Sequence, residues 1–141
     1  MEVKEYIFIL VPLTGVILSQ LIKVCIESIK NKKFMIKRFL NGSGGFPSTH
    51  TTLICSLLFT IMYELGVFSV EFAIVLTFAV IVLYDAINVR RDVEKSNRLL
   101  NDTLLKDSTF KLKHDVGHTL VEVIGGIIFS LVIATIITSI I

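Results

Sequence analysis

Only two cysteines, three histidines and two prolines occur among the 141 residues; tryptophan is absent and charged residues make up 18%. Cys25 and Cys55 have neither zinc-ribbon nor redox-pair spacing, so both are expected to be small packing residues within the membrane. No internal repeat is visible, and residues 1–141 are expected to form a single membrane-embedded domain. No short charged leader with a small-residue cleavage site precedes the first apolar run, so that run is expected to stay as a helix. The turn around Glu64 to Glu71 lacks lysine and arginine, although 14 of these occur elsewhere. The net charge of +2 says little by itself; its distribution is the signal.

What is present is hydrocarbon. The chain is 53% hydrophobic with a mean hydropathy of +0.79, too apolar for a soluble domain of this size. Four apolar stretches, from Tyr6 to Ile29, Thr49 to Gly66, Val67 to Val89 and Thr119 to Ile141, are expected to be long enough to cross a bilayer, which takes ~20 residues. Backbone groups in lipid must be satisfied within the segment, so these are helices. The expected fold is all-α: a four-helix integral membrane bundle. Lys30, Lys32, Lys33, Lys37 and Arg38 lie between the first two stretches. Arg90, Arg91, Lys95, Arg98, Lys106, Lys111 and Lys113 lie between the last two. This asymmetry puts both basic loops in the cytoplasm and both termini outside. Asp85 to Leu105 lacks Gly and Pro, and Val93, Leu100 and Leu104 recur near helical spacing. The third helix is therefore expected to project into the cytoplasm until a break near Asp107 to Thr109.

Two of the three histidines occupy equivalent positions. Pro47-Ser48-Thr49-His50 and Gly117-His118-Thr119-Leu120-Val121-Glu122 both sit where a polar loop runs into an apolar helix. Helix N-termini present free N–H groups and favour anions. The glycines of Asn41-Gly42-Ser43-Gly44-Gly45 allow close approach to an anion, or simply a hinge. Lys23 and Asp85 fall at the same depth as the histidines. Lys23 can snorkel or serve the site, and Asp85 can pair with Lys23 or Arg90.

These residues fit phosphoryl transfer. His118 can attack phosphorus while Glu122, four residues on and on the same helix face, holds the other ring nitrogen. His50 can protonate the leaving alcohol. Ser48, Thr49 and the first N–H groups of the second helix can grip phosphate, with Lys23, Arg90, Arg91 and Lys113 supplying charge. Each also has a plainer structural reading. Thr119 and Glu122 make a capping box, Ser48 is a natural N-cap, and a histidine at an interface can be an anchor. A metal alternative is also legible, because His114, His118 and Glu122 recur at i, i+4 and i+8.

Pro47-Ser48-Thr49-His50 resembles the P-S-G-H signature of the type-2 phosphatidic acid phosphatases, relatives of the vanadium haloperoxidases. His118 to Glu122 is similar to the H-x-x-x-D end of that family's last motif. The ordered set Gly44 to His50, Tyr84-Asp85-Ala86, Val89-Arg90-Arg91, Leu100-Asn101 and Gly117 to Val123 resembles the family's divergent branch of small membrane proteins. The chain departs from the larger family in two motifs and in having four expected helices where the classic membrane members have six. Asn31 follows Lys30 where K-x6-R-P is expected, and Leu112 stands at the arginine position of S-R-x5-H. The resemblance implies a metal-independent phosphomonoesterase with His118 as nucleophile, His50 as acid, Glu122 as orienter and Ser48 as phosphate ligand. The expected activity is a lipid-phosphate phosphatase acting at the cytoplasmic face of the cell membrane. No cofactor, metal or nucleic acid is expected, and a homodimer completing the site is compatible. A membrane scaffold or lipid-binding protein without turnover is the alternative outside enzymology.

Overall fold

A computed structural model of the chain describes residues 6–36, 39, 44–113 and 116–141. Its helices are α1 (Ile7–Asn31), α2 (Thr49–Glu64), α3 (Val70–Tyr84), α4 (Arg90–Asp102) and α5 (Leu120–Ile140). Asp85–Val89 is a π-helical turn joining α3 and α4 into one 33-residue helix, Val70–Asp102. No strand occurs among the described residues.

Local chemistry sets the helix starts. Ser48 caps α2 by accepting from the Thr51 N–H at 3.4 Å, and Ser69 caps α3 by accepting from the Phe72 N–H at 3.1 Å. Thr119 and Glu122 form a full capping box on α5, satisfying donors that the first helical turn leaves open. The turn between α2 and α3 is wider than hydropathy suggests, because Gly66 takes a φ of 85° and Ser69 restarts the helix. The extension of this helix ends at Asp102, before the break expected near Asp107 to Thr109. There the Thr103 hydroxyl and backbone N–H both donate to the Leu99 carbonyl, at 2.7 and 3.0 Å.

Among the described residues, three helices are long and apolar enough to cross a membrane: α1, Val70–Asp102 and α5. The fourth apolar stretch, α2, has 16 residues, about 24 Å against a hydrocarbon core of about 30 Å. It packs against α1, α3 and α5. That setting explains its composition. Thr51, Thr52, Cys55, Ser56 and Thr60 are buried along it, small enough for close helix approach. Their hydroxyls are satisfied locally: Thr52 donates to the Ser48 carbonyl at 2.9 Å and Thr60 to the Ser56 carbonyl at 2.8 Å. Ser130 of α5 reaches across to the Thr52 carbonyl at 3.1 Å. On α3, by contrast, Ala79 is the one buried residue, and Phe78, Val80 and Ile81 face outward. So large an exposed apolar surface suits lipid rather than water. A cluster of Ile7, Val11, Ile133 and Ala134 joins the start of α1 to the end of α5, at the end of the molecule away from the histidines.

Candidate active site

The starts of α2 and α5 meet. The Ser48 N–H donates to the Glu122 carbonyl at 3.0 Å, joining the two motifs through their backbones. Gly126 makes this approach feasible. A Cβ there would lie 2.9 Å from the Ser48 carbonyl oxygen and 2.9 Å from Thr51 Cβ, closer than real contacts allow. The Phe46–Pro47 peptide leading into α2 is cis.

At the centre stands His118, its side chain 1% exposed. Its Nδ1 lies 3.0 Å from Glu122 Oε2, and the same oxygen accepts the Thr119 N–H at 3.0 Å. The Gly45 backbone N–H is also within reach of this carboxylate. One carboxylate therefore finishes the helix and fixes the imidazole, leaving Nε2 as the ring's free nitrogen. The His118 N–H donates to the Ala86 carbonyl at 3.1 Å, anchoring the residue to the π-helical turn. His50, more exposed, presents its ring to His118 edge-on, with centroids 6.0 Å apart and planes at 64°.

Around this pair the other candidate residues take definite places. Ser48 is fully buried; its Oγ accepts from the Thr51 N–H and from Thr51 Oγ1, the latter at 2.9 Å. Thr49 accepts from buried Lys23 Nζ at 2.8 Å and from Ser19 Oγ at 3.2 Å. Asp85 pairs with Arg90 at 2.5 Å. Lys23, Arg90 and Asp85 all lie near enough to His50 to act on its charge. The Arg91 backbone passes beside Gly117, while Lys113 is tied down through its carbonyl, which accepts from Asn97 Nδ2 at 2.7 Å. His114, part of the alternative metal face, lies outside the described residues. Among the described residues no three His, Cys, Asp or Glu side chains gather in a metal-holding group.

Asn101 belongs to the motif set read from the sequence, but what it and its neighbours Glu94 and Asn97 hold is not legible there. Glu94 accepts from the Gly117 N–H at 3.2 Å, and Asn101 exchanges two 2.8 Å bonds with the Leu112 backbone. Their signal is spacing: Glu94, Asn97 and Asn101 fall at i, i+3 and i+7, one helical face.

Comparison with known proteins places nearly the whole chain in one family. The Divergent PAP2 family model matches residues 4–133. The chain is 30% identical to the uncharacterized membrane protein YuiD of Bacillus subtilis (strain 168), an alignment covering 95% of this chain and 98% of that protein. No solved structure matches the chain. With three apolar helices of spanning length and a match over nearly its whole length, this is a membrane protein, and it belongs to the Divergent PAP2 family.

Proposed function

We propose that the protein is a lipid-phosphate phosphatase working through a phosphohistidine, with its site at the cytoplasmic surface of a four-helix membrane bundle. One observation carries this reading: His118 rests on the Glu122 carboxylate through Nδ1 and faces His50 at 6.0 Å. Nε2 of His118 attacks phosphorus as the ester P–O bond breaks. Glu122 accepts the Nδ1–H hydrogen bond, keeping that proton on the ring, and stabilises the imidazolium that forms. His50 gives its proton to the departing alkoxide, so the alcohol leaves neutral. Water then attacks the phosphohistidine, yielding its proton to His50, and the N–P bond breaks to release phosphate. Lys23 and Arg90, with the N–H groups at the start of α2, offset charge on the phosphoryl oxygens.

Spacing adds a requirement. Phosphorus must sit about 3–3.5 Å from Nε2 of His118, with the leaving oxygen about 3 Å from His50, so substrate enters between the two rings. Arg90 is paired through Nε with Asp85 at 2.5 Å, which draws part of its charge away from phosphate. That pairing is the observation favouring the second reading, a lipid-binding membrane protein without turnover.

The deciding experiment is a trap. Purified protein is mixed briefly with 32P-labelled phosphatidate, phosphatidylglycerophosphate or polyprenyl phosphate, then quenched in alkali. Acid-labile label should remain on the protein and vanish in His118→Ala. Phosphate release that persists in His118→Ala ends the phosphohistidine reading. Release abolished by chelator transfers support to metal chemistry, and absence of any release supports the lipid-binding protein.

A further inference from the structure

We propose that α4 is the template that positions the nucleophile, through Glu94, Asn97 and Asn101 as positioning residues for His118. This rests on the reading of His118 as nucleophile. The three side chains lie on one face of α4, and each holds a different point of the segment running up to His118. Asn101, 9% exposed, donates from Nδ2 to the Leu112 carbonyl and accepts the Leu112 N–H through Oδ1, both at 2.8 Å. Asn97 Nδ2 donates to the Lys113 carbonyl at 2.7 Å. Glu94 takes the Gly117 N–H at 3.2 Å while its other oxygen accepts from Arg98 at 2.7 Å. The Ala86 carbonyl then accepts the His118 N–H at 3.1 Å.

Contacts along 16 residues of one continuous helix, 86 to 101, thus fix the approach to the nucleophile. The closeness is steric as well as polar. A Cβ on Gly117 would stand 2.9 Å from Arg91 Cα and 3.1 Å from Glu94 Oε2, so the segment lies directly against the helix backbone. An asparagine amide that donates to and accepts from one residue's backbone replaces the pairing a neighbouring strand would provide. It sets both position and direction of the chain, at an otherwise irregular segment. A nucleophile displaced by about 1 Å loses up to about 100-fold in rate. The polar face of α4 thereby has a task beyond solvation.

The test uses full-length protein in nanodiscs, with Asn101→Ala, Asn97→Ala and the conservative Asn101→Asp. Hydrogen exchange at the 112, 117 and 118 amides is read beside single-turnover phosphoenzyme formation. Asn101→Ala should speed exchange at all three amides and slow phosphoenzyme formation about 10- to 100-fold, with KM unchanged within about twofold. Asn101→Asp keeps the acceptor for the Leu112 N–H and should recover part of the rate. If Asn101→Ala does not fold, Asn97→Ala carries the test, since it removes one bond from a less buried site. Faster exchange with an unchanged phosphorylation rate overturns positioning, and so does unchanged exchange in both alanine variants. If the parent protein forms no phosphoenzyme, the phosphatase reading has failed, and so has the positioning role, whatever the exchange shows.

Discussion

Replacing Glu122 by glutamine removes one charge while leaving an oxygen where Oε2 now sits. That amide oxygen can still accept the Thr119 N–H and the His118 Nδ1 proton, both 3.0 Å away in the parent. Capping should therefore survive. What is lost is attraction between carboxylate and imidazolium. Two unit charges about 4 Å apart at an effective dielectric near 20 interact by about 4 kcal/mol. A transition state carrying roughly half the charge on the ring keeps about 2 kcal/mol of that, or about 30-fold in rate. Glu122→Ala should lose this and the capping box too, adding about 1 kcal/mol of destabilisation. The assay pairs single-turnover phosphate release with denaturation in detergent. The expected pattern is a slow but parent-like stable Gln variant beside a slow and less stable Ala variant. A Gln variant at full speed would reduce Glu122 to a helix cap and refute its catalytic role.

His50→Ala should slow release of poor alcohol leaving groups by about 10² to 10⁴ while sparing activated aryl phosphates; equal losses for both would remove it as the acid. Gly126→Ala should force Ser48 away from the start of α5, destabilising the protein by about 1–3 kcal/mol and lowering phosphoenzyme yield. Stability and yield matching the parent's would mean the two helix starts need not touch. Single cysteines at Asn31 and Lys95 should react with impermeant reagent only from the cytoplasm, and one at Phe68 only from outside. Reaction of the first two from opposite faces would break the proposed topology.

The apolar helices are legible in hydropathy, and the starts of α2 and α5 in Ser48 and Thr119, because capping is local chemistry. The nearness of His50 and His118 is legible only in that both lie at helix starts; their places differ, His50 two residues past its cap Ser48 and His118 one residue before its cap Thr119. The π-helical turn is not legible, since Asp85–Val89 carries no residue type that demands it. Yet it decides a partner: Asp85 and Arg90 are five residues apart, a spacing that an α-helix splays and an i→i+5 turn aligns. The roles of Glu94, Asn97 and Asn101 are hidden for another reason. On a polar helix, a side chain holding a distant backbone segment has the same sequence appearance as one facing water. Nor does composition foretell that α2 sits centrally; its hydroxyls look like weak hydrophobicity until the carbonyls that take them are seen.

On the proposed mechanism Glu122 both caps α5 and steadies His118 during the reaction, which bears on how relatives with this arrangement should be compared. A position serving both helix integrity and chemistry stays under selection after either need disappears, so a descendant that had abandoned turnover would still retain an acid there. Its persistence is weak testimony about activity. His50 differs: its ring meets His118 edge-on, no hydrogen bond among the described residues ties that ring to the fold, and drift should erase it soon after turnover ceases. Among relatives, the informative mark of a working enzyme is the second histidine.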